Sequence, residues 1–169
     1  MPDHGSTTVF LNVATGVGIL SLRRATRADL PEIRGLLVDD DLGVTRESLD
    51  DLKPYEVAFD AIDSDPSHLL VVGQVGDDVV ATLQLTFLPS LSRRGAWRAQ
   101  IEAVRVSDSL RGNGIGTLML QWALDQARRR GCSLVQLTTD KSRDGALRFY
   151  ERLGFVASHE GLKLVWGSL

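Results

Sequence analysis

The sequence predicts an α/β (α+β) fold of one domain, with a central twisted sheet, mixed but mostly antiparallel, of about six to seven strands flanked by about four helices. Three observations predict it. Two apolar runs meet across Gly76-Asp77-Asp78 as a β-hairpin does, a glycine-rich turn leads into a helix with apolar residues at Ile115, Leu118, Met119 and Trp122, and another apolar run follows that helix. At 169 residues the chain suits one such domain, burying roughly two thirds of its unfolded surface, and is too short for a second full one.

Met1 to Gly18 is small and weakly patterned; a disordered leader, an upstream mis-start and an extra edge strand all fit it, and the domain itself is expected over residues 19–169. Ile19 to Arg24 alternates as a strand, and Asp29 with Glu32 around Pro31 opens a helix carrying Ile33, Leu36 and Leu37. Asp39 to Val44 reads as an acidic loop, followed by a short helix from about Pro54 to Ile62 that Asp65-Pro66 breaks. The hairpin comes next, with strands from Leu69 and from Val79 to Leu88, ended by Pro89. After a Ser90 to Gly95 loop, Trp97 to Val106 is a strand with Gln100, Glu102, Val104 and Val106 expected on one face. Ser107 to Gly114 turns into the helix that Arg128-Arg129-Arg130 and Gly131 terminate, and Leu134 to Thr139 completes a strand–helix–strand crossover. Ala146, Phe149, Tyr150 and Leu153 mark a last helix capped by Gly154, and Phe155 to Ser158 with Leu162 to Trp166 are expected as a final strand pair.

Composition narrows the function. A net charge of -3 argues against a protein that binds nucleic acid by neutralising phosphates. The single cysteine, Cys132, heads an apolar run as a small buried hydrophobe and forms no internal disulfide, so no oxidising compartment is required. No stretch approaches the roughly 20 apolar residues of a membrane span, and the first residues lack the basic start of a secretory signal. The reading is a cytoplasmic protein that binds neither membrane nor nucleic acid. His4, His68 and His159 show no metal-ligand spacing, so no metal is expected.

The informative motif is Arg111-Gly112-Asn113-Gly114-Ile115-Gly116, set between a strand and a strong helix, where unpaired backbone N–H groups and the helix dipole favour a phosphate. The phosphate loop of nucleotide hydrolases is excluded because Thr117-Leu118 follows Gly116 in place of Lys-Ser or Lys-Thr. The dinucleotide fingerprint is excluded because its third glycine falls on Thr117 and the preceding strand is too polar. What remains, Arg111-x-x-Gly114-x-Gly116, resembles the turn of the GNAT superfamily of N-acetyltransferases. Glu102-Ala-Val-Arg-Val106 resembles that family's central strand, and Ala146-Leu-Arg-Phe-Tyr-Glu-Arg-Leu-Gly-Phe155 its later helix and exit turn.

The resemblance implies acetyl coenzyme A as cosubstrate, a V-shaped splay between two central parallel strands, and direct attack of a primary amine in a ternary complex. The diphosphate is then held by backbone from Arg111 through Gly112, Asn113, Gly114, Ile115 and Gly116 to Thr117, and the pantetheine arm by backbone of Val104, Arg105 and Val106. Arg143 stands where many relatives carry an asparagine that bonds that arm. An amine of pKa near 10 must lose a proton before it attacks, and Glu102 is the implied general base, directly or through water. Tyr150 is the implied general acid for the departing thiolate. Other readings of these residues stay open: Glu102 as a strand glutamate paired to Arg98 or Arg105, Tyr150 as a buried helix aromatic, and Arg128 to Arg130 as complement to the helix dipole rather than phosphate ligands. The acceptor expected from Asp39, Asp40, Asp41, Glu47, Asp50 and Asp51 is a small cationic amine, although a solvated acidic face has the same composition. A non-catalytic acyl coenzyme A sensor and an enzyme acting on a protein or peptide amine are the rivals. Relatives often pair through C-terminal strands, which leaves room for a homodimer.

Overall fold

Alternating Leu, Val, Ile and Thr generate a sheet in the computed structural model, which describes residues 8–39 and 50–166. The chain packs as two compact units, Met1–Gln136 and Leu137–Leu169. The first holds β1 (Val9–Thr15), β2 (Gly18–Arg24), β3 (His68–Val75), β4 (Asp78–Leu88) and β5 (Trp97–Val106), and β6 (Cys132–Leu137) completes a six-stranded sheet in the order β1-β2-β3-β4-β5-β6. Each pair from β1 to β5 is antiparallel. Ser133 Oγ donates to the Trp97 carbonyl and Gln136 Nε2 to Gln100 Oε1, both 36 residues apart. A constant offset means that β6 runs alongside β5 in the same direction, so the sheet is mixed, and a parallel partner requires the helical crossover between them.

Among the described residues, three helices dress this sheet: α1 (Leu30–Val38), α2 (Lys53–Ser64) and α3 (Ile115–Arg129). Leu30 and Ile33 of α1 and Phe59 of α2 form one apolar cluster with Leu70 and Val72 of β3. α1 and α3 each pack on both β4 and β5. Ala81, Leu83, Leu85 and Phe87 are buried on one face of β4, and Thr82 and Thr86 on the other, as a central strand between helical layers demands. The Thr82 hydroxyl donates to the Val71 carbonyl at 3.1 Å, which satisfies it. Val9–Thr15 forms the edge strand, and Phe10 stacks on Trp122 of α3 with ring centroids 5.0 Å apart.

Entry into α1 is set by a buried ion pair. Arg23 grips Asp29 through both terminal nitrogens at 2.8 and 2.7 Å, and Asp29 also accepts the backbone N–H and hydroxyl of Thr26. Burial pushes the Asp29 carboxyl up, but the hydrogen bonds from Arg23 and Thr26 prevail and hold it below its ordinary value.

In the unit Leu137–Leu169, α4 (Asp144–Arg152) ends in a left-handed Gly154, φ 91°, with the Phe155 N–H closing on the Tyr150 carbonyl at 3.1 Å. The strand pair expected at Phe155 to Ser158 and Leu162 to Trp166 does not form; among the described residues these carry no ladder. Val156, Leu162, Leu164 and Trp166 stay exposed. Alternation favours a strand only where a neighbour supplies N–H and C=O partners. The strand expected over Leu134 to Thr139 is Cys132–Leu137, and Cys132 is half-buried rather than buried.

Replacing Asp29 with Asn leaves Arg23 buried without its counter-charge and should destabilise the protein by about 2–3 kcal/mol in urea denaturation. A depressed folded pKa makes the wild-type pair fully stabilising above the unfolded carboxylate pKa of about 3.9 and progressively lost below it. The stability gap between wild type and Asp29→Asn should therefore narrow as pH falls through that range.

Candidate active site

β5 contains the feature around which the site is built. Gln84 pairs with Glu102 and Thr82 with Arg105, so β5 spends one residue more than β4 over this stretch. The extra residue is a bulge, and Ala103 takes φ 52°, left-handed backbone that a non-glycine residue adopts at a cost on the order of 1–2 kcal/mol. The bulge also changes which side chains share a face. Gln100, Glu102 and Arg105 lie on the face of Thr86, Gln84 and Thr82, whereas Val106, paired with Ala81, falls on the face of Ala99 and Ile101. The expected row of Gln100, Glu102, Val104 and Val106 is broken there, because an inserted residue reverses the alternation.

Glu102 is exposed, and among the described residues its carboxylate forms no ion pair or hydrogen bond; a pairing with Arg98 or Arg105 is not made. Arg105 instead turns its Nη1 onto the Val104 carbonyl at 2.9 Å. β6 ends at Leu137, and the offset of 36 residues exhausts its ladder before the bulge. Val104, Arg105 and Val106 therefore continue β5 past the length of its parallel neighbour.

The chain leaves β5 through one 3₁₀ turn, Asp108–Leu110, and reaches α3 through Gly112 at φ 81° and Gly114 at φ 80°. Nothing crowds the space that a Cβ would take at either, so it is the left-handed backbone that calls for glycine. The Asn113 amide donates to the Leu110 carbonyl at 3.1 Å. Arg111 faces the protein: its guanidinium pairs with Asp108 and donates to the carbonyls of Val106 at 3.3 Å and Asp39 at 3.4 Å. It braces the loop, and its own N–H is used by the Asp108 carbonyl. Among the described residues, no hydrogen bond is made by the N–H groups from Gly112 to Thr117, and the first turn of α3 has no acidic residue to satisfy them. Ile115, Met119, Leu120 and Trp122 anchor the helix behind this crown. The result is a set of aimed donors at the positive end of a dipole, the chemistry that a diphosphate requires.

Arg143 and Tyr150 belong to the unit Leu137–Leu169. Arg143 is the residue before α4, and the half-buried Tyr150 ring lies 5.2 Å from Phe149 and 5.9 Å from Phe155. Burial pushes the Cys132 thiol up against the opposing charge of Arg130, which keeps it protonated at neutral pH and unsuited to nucleophilic work. Asp40, Asp41 and Glu47 lie outside the described residues. A cavity of about 650 Å³ elsewhere, lined by Val9, Ile19, Ser21, Arg23, Asp29 and Gln74, has its charged groups spent on each other. No described helix is long and apolar enough to cross a membrane. The residue that sequence reading missed is Ala103, and an alanine carries no signal for positive φ.

Comparison with known proteins fits this geometry. The profile of the family described as Acetyltransferase (GNAT) family matches residues 20–155. A solved transcriptional regulator from Bacillus halodurans C-125 is 48% identical with a TM-score of 0.82, covering 87% of this chain and 99% of that one. A solved putative acetyltransferase from Agrobacterium tumefaciens is 29% identical with a TM-score of 0.77, covering 86% and 99%. The aminoalkylphosphonate N-acetyltransferase of Salmonella typhimurium is 29% identical over 141 residues, 83% of this chain and 88% of its own.

Gly114→Val forces a β-branched residue into left-handed backbone and tilts the crown. Its affinity for coenzyme A by calorimetry should fall by at least about tenfold, while the melting temperature moves by only a few degrees.

Proposed function

The chain belongs to the acetyltransferase (GNAT) family, and from that membership we propose that an amine attacks the thioester of acetyl coenzyme A directly in a ternary complex, with Glu102 as general base and Tyr150 as general acid. The observation that carries this reading is the continuity of β5 with α3: one uninterrupted run of chain presents an unpaired carboxylate, a bulged strand end and a crown of unused amides.

The amides from Gly112 to Thr117 hold the diphosphate, with Arg111 bracing the loop from behind. Val104, Arg105 and Val106, free of β6, take the pantetheine arm as an added strand. A backbone N–H near Val104 donates to the thioester oxygen as it becomes an oxyanion, a contact typically worth ~3 kcal/mol. The bulge supports this role because it turns one peptide of β5 out of the regular ladder.

Glu102 is suited to take the proton of an incoming ammonium, directly or through water, because no cation already neutralises it. The amine nitrogen bonds to the carbonyl carbon, the carbon–sulfur bond breaks, and Tyr150 supplies the proton that the thiolate takes. The acceptor is a small primary amine whose nitrogen is protonated at neutral pH before Glu102 acts on it, and the relative named for aminoalkylphosphonates takes a small amine of that protonation state.

A second reading has a specific observation behind it. The 48% identical protein is described as a transcriptional regulator, which favours an acyl coenzyme A sensor that binds the cosubstrate without turning it over. Glu102→Gln separates the two. For the enzyme, kcat should fall by about 10²–10³ with coenzyme affinity unchanged, and Tyr150→Phe should lower kcat at least about tenfold. For the sensor, acetyl coenzyme A raises the melting temperature of the wild type but no amine releases its thiol.

A further inference from the structure

The side chain of Arg111 reaches a helix that its backbone does not belong to. Its guanidinium donates to the carbonyl of Asp39, 72 residues earlier, and Asp39 is the residue that closes α1. The Asp39 N–H in turn bonds to the Gly35 carbonyl at 3.1 Å, so Gly35 to Asp39 is the last turn of the helix. The final carbonyls of an α-helix have no partner inside it and form the negative end of its dipole, where a cation is stabilising. α1 has no basic residue in its own last turn. Arg111 supplies one.

The same guanidinium pairs with Asp108 and donates to the Val106 carbonyl, so it joins the end of β5, the 3₁₀ turn and the end of α1. The amide crown begins one residue later, at Gly112. One residue therefore has its backbone at the entrance to the crown and its side chain on α1. That helix lies beside the proposed base. Glu102 pairs with Gln84 and Gln84 with Leu70, while Arg105, Thr82 and Val72 form the equivalent row beyond the bulge, so Leu70 and Val72 share the face that bears Glu102. Leu30 and Ile33 of α1 cluster with them. Whatever steadies α1 steadies a wall on that side of the sheet.

The unliganded crown is held by little, because its glycines are left-handed and its amides have no partners among the described residues. A diphosphate that takes those amides orders the turn, and a turn already ordered loses less freedom when Arg111 caps α1. Resting on the coenzyme-binding reading, we propose that Arg111 is a positioning residue that couples occupancy of the crown to the last turn of α1. Coenzyme A held at Gly112 to Thr117 steadies Gly35 to Asp39 through this one side chain, and so sets the helix over the Glu102 face for the incoming amine. Linkage makes the coupling reciprocal: a firmer α1 end tightens the coenzyme by the same factor. Arg111 and Asp108 are both exposed, so the individual contacts are weak and the coupling is a few-fold effect.

Hydrogen exchange of the full chain, read by mass spectrometry with and without saturating coenzyme A, tests this. In the wild type, coenzyme A should slow exchange over 112–117 and also over 35–39, the second by about two- to fivefold. In Arg111→Met the slowing over 112–117 should remain and that over 35–39 should vanish. Arg111→Lys keeps the charge but not the fork that reaches several carbonyls, and should retain about half of it or less. An arginine with a structural role alone would change exchange equally with and without coenzyme A and leave the difference intact. Gly35→Ala gives the reciprocal measurement: Gly35 is exposed with nothing near the place of a Cβ, so alanine firms the helix. Coenzyme A affinity by calorimetry should rise about twofold in Gly35→Ala, and not when Arg111→Met is also present. Slowing over 112–117 with none over 35–39, slowing over 35–39 that survives in Arg111→Met, or a Gly35→Ala effect that Arg111→Met does not alter each overturns the coupling and leaves coenzyme binding standing. No slowing at either place together with no heat of binding sinks both.

Discussion

An α-helix begins with backbone donors that nothing inside it can accept, and the architecture of this protein follows from where α3 leaves those donors. Among the described residues they meet no side-chain acceptor: the first turn has no acidic residue, the cap is a glycine, the Asn113 amide donates to the Leu110 carbonyl, and Arg111 is engaged with Asp108 and the carbonyls of Val106 and Asp39. Unsatisfied amides at the positive end of a dipole persist because they face water or an anion, and the apolar side of α3 keeps them in place by burying Met119, Leu120, Trp122 and Ala123. The stability of the sheet is thus converted into the geometry of the turn.

The bulge at Ala103 does for β5 what the glycines do for α3. A regular strand would have placed Val106 beside Glu102 on the polar face; the inserted residue returns Val106 to the apolar side and brings Arg105 into line with Glu102. Strain at one alanine therefore buys two outcomes, a peptide turned out of the ladder and a face that mixes a carboxylate with guanidiniums. The same face also carries Gln84 and the buried Thr82 and Thr86 of β4, whereas Ala81, Leu83, Leu85 and Phe87 line the opposite face. Polar lining on one side of a central strand is costly to bury unless a ligand or water completes it.

Charge is distributed to match. The Arg23–Asp29 pair at the entrance to α1 is closed, with each group meeting the other's hydrogen-bonding demand, and it acts as a rivet between β2 and the helix. Arg98 on β5 and Arg34 on α1 are half-buried, and the Nε of each is covered without an acceptor among the described residues.

Local patterns in the sequence determined the β3–β4 hairpin, the period of α3, its glycine entry and the Gly154 exit from α4, because each rests on side-chain periodicity or on the φ that a glycine permits within a few residues. Glu102 and the run from Arg111 to Thr117 were legible for the same reason. Tertiary structure alone decided the rest. Whether Val9–Thr15 pairs depends on β2 and on Trp122, and Leu162 to Trp166 has the alternation of a strand but no ladder, since hydrogen-bonding partners lie far away in sequence. The bulge arises from a mismatch of lengths between β4 and β5, which no single residue announces. The covered Nε donors of Arg34 and Arg98 exist only once helices and strands have packed, because burial is a property of the packed layers and not of an arginine in a list of residues.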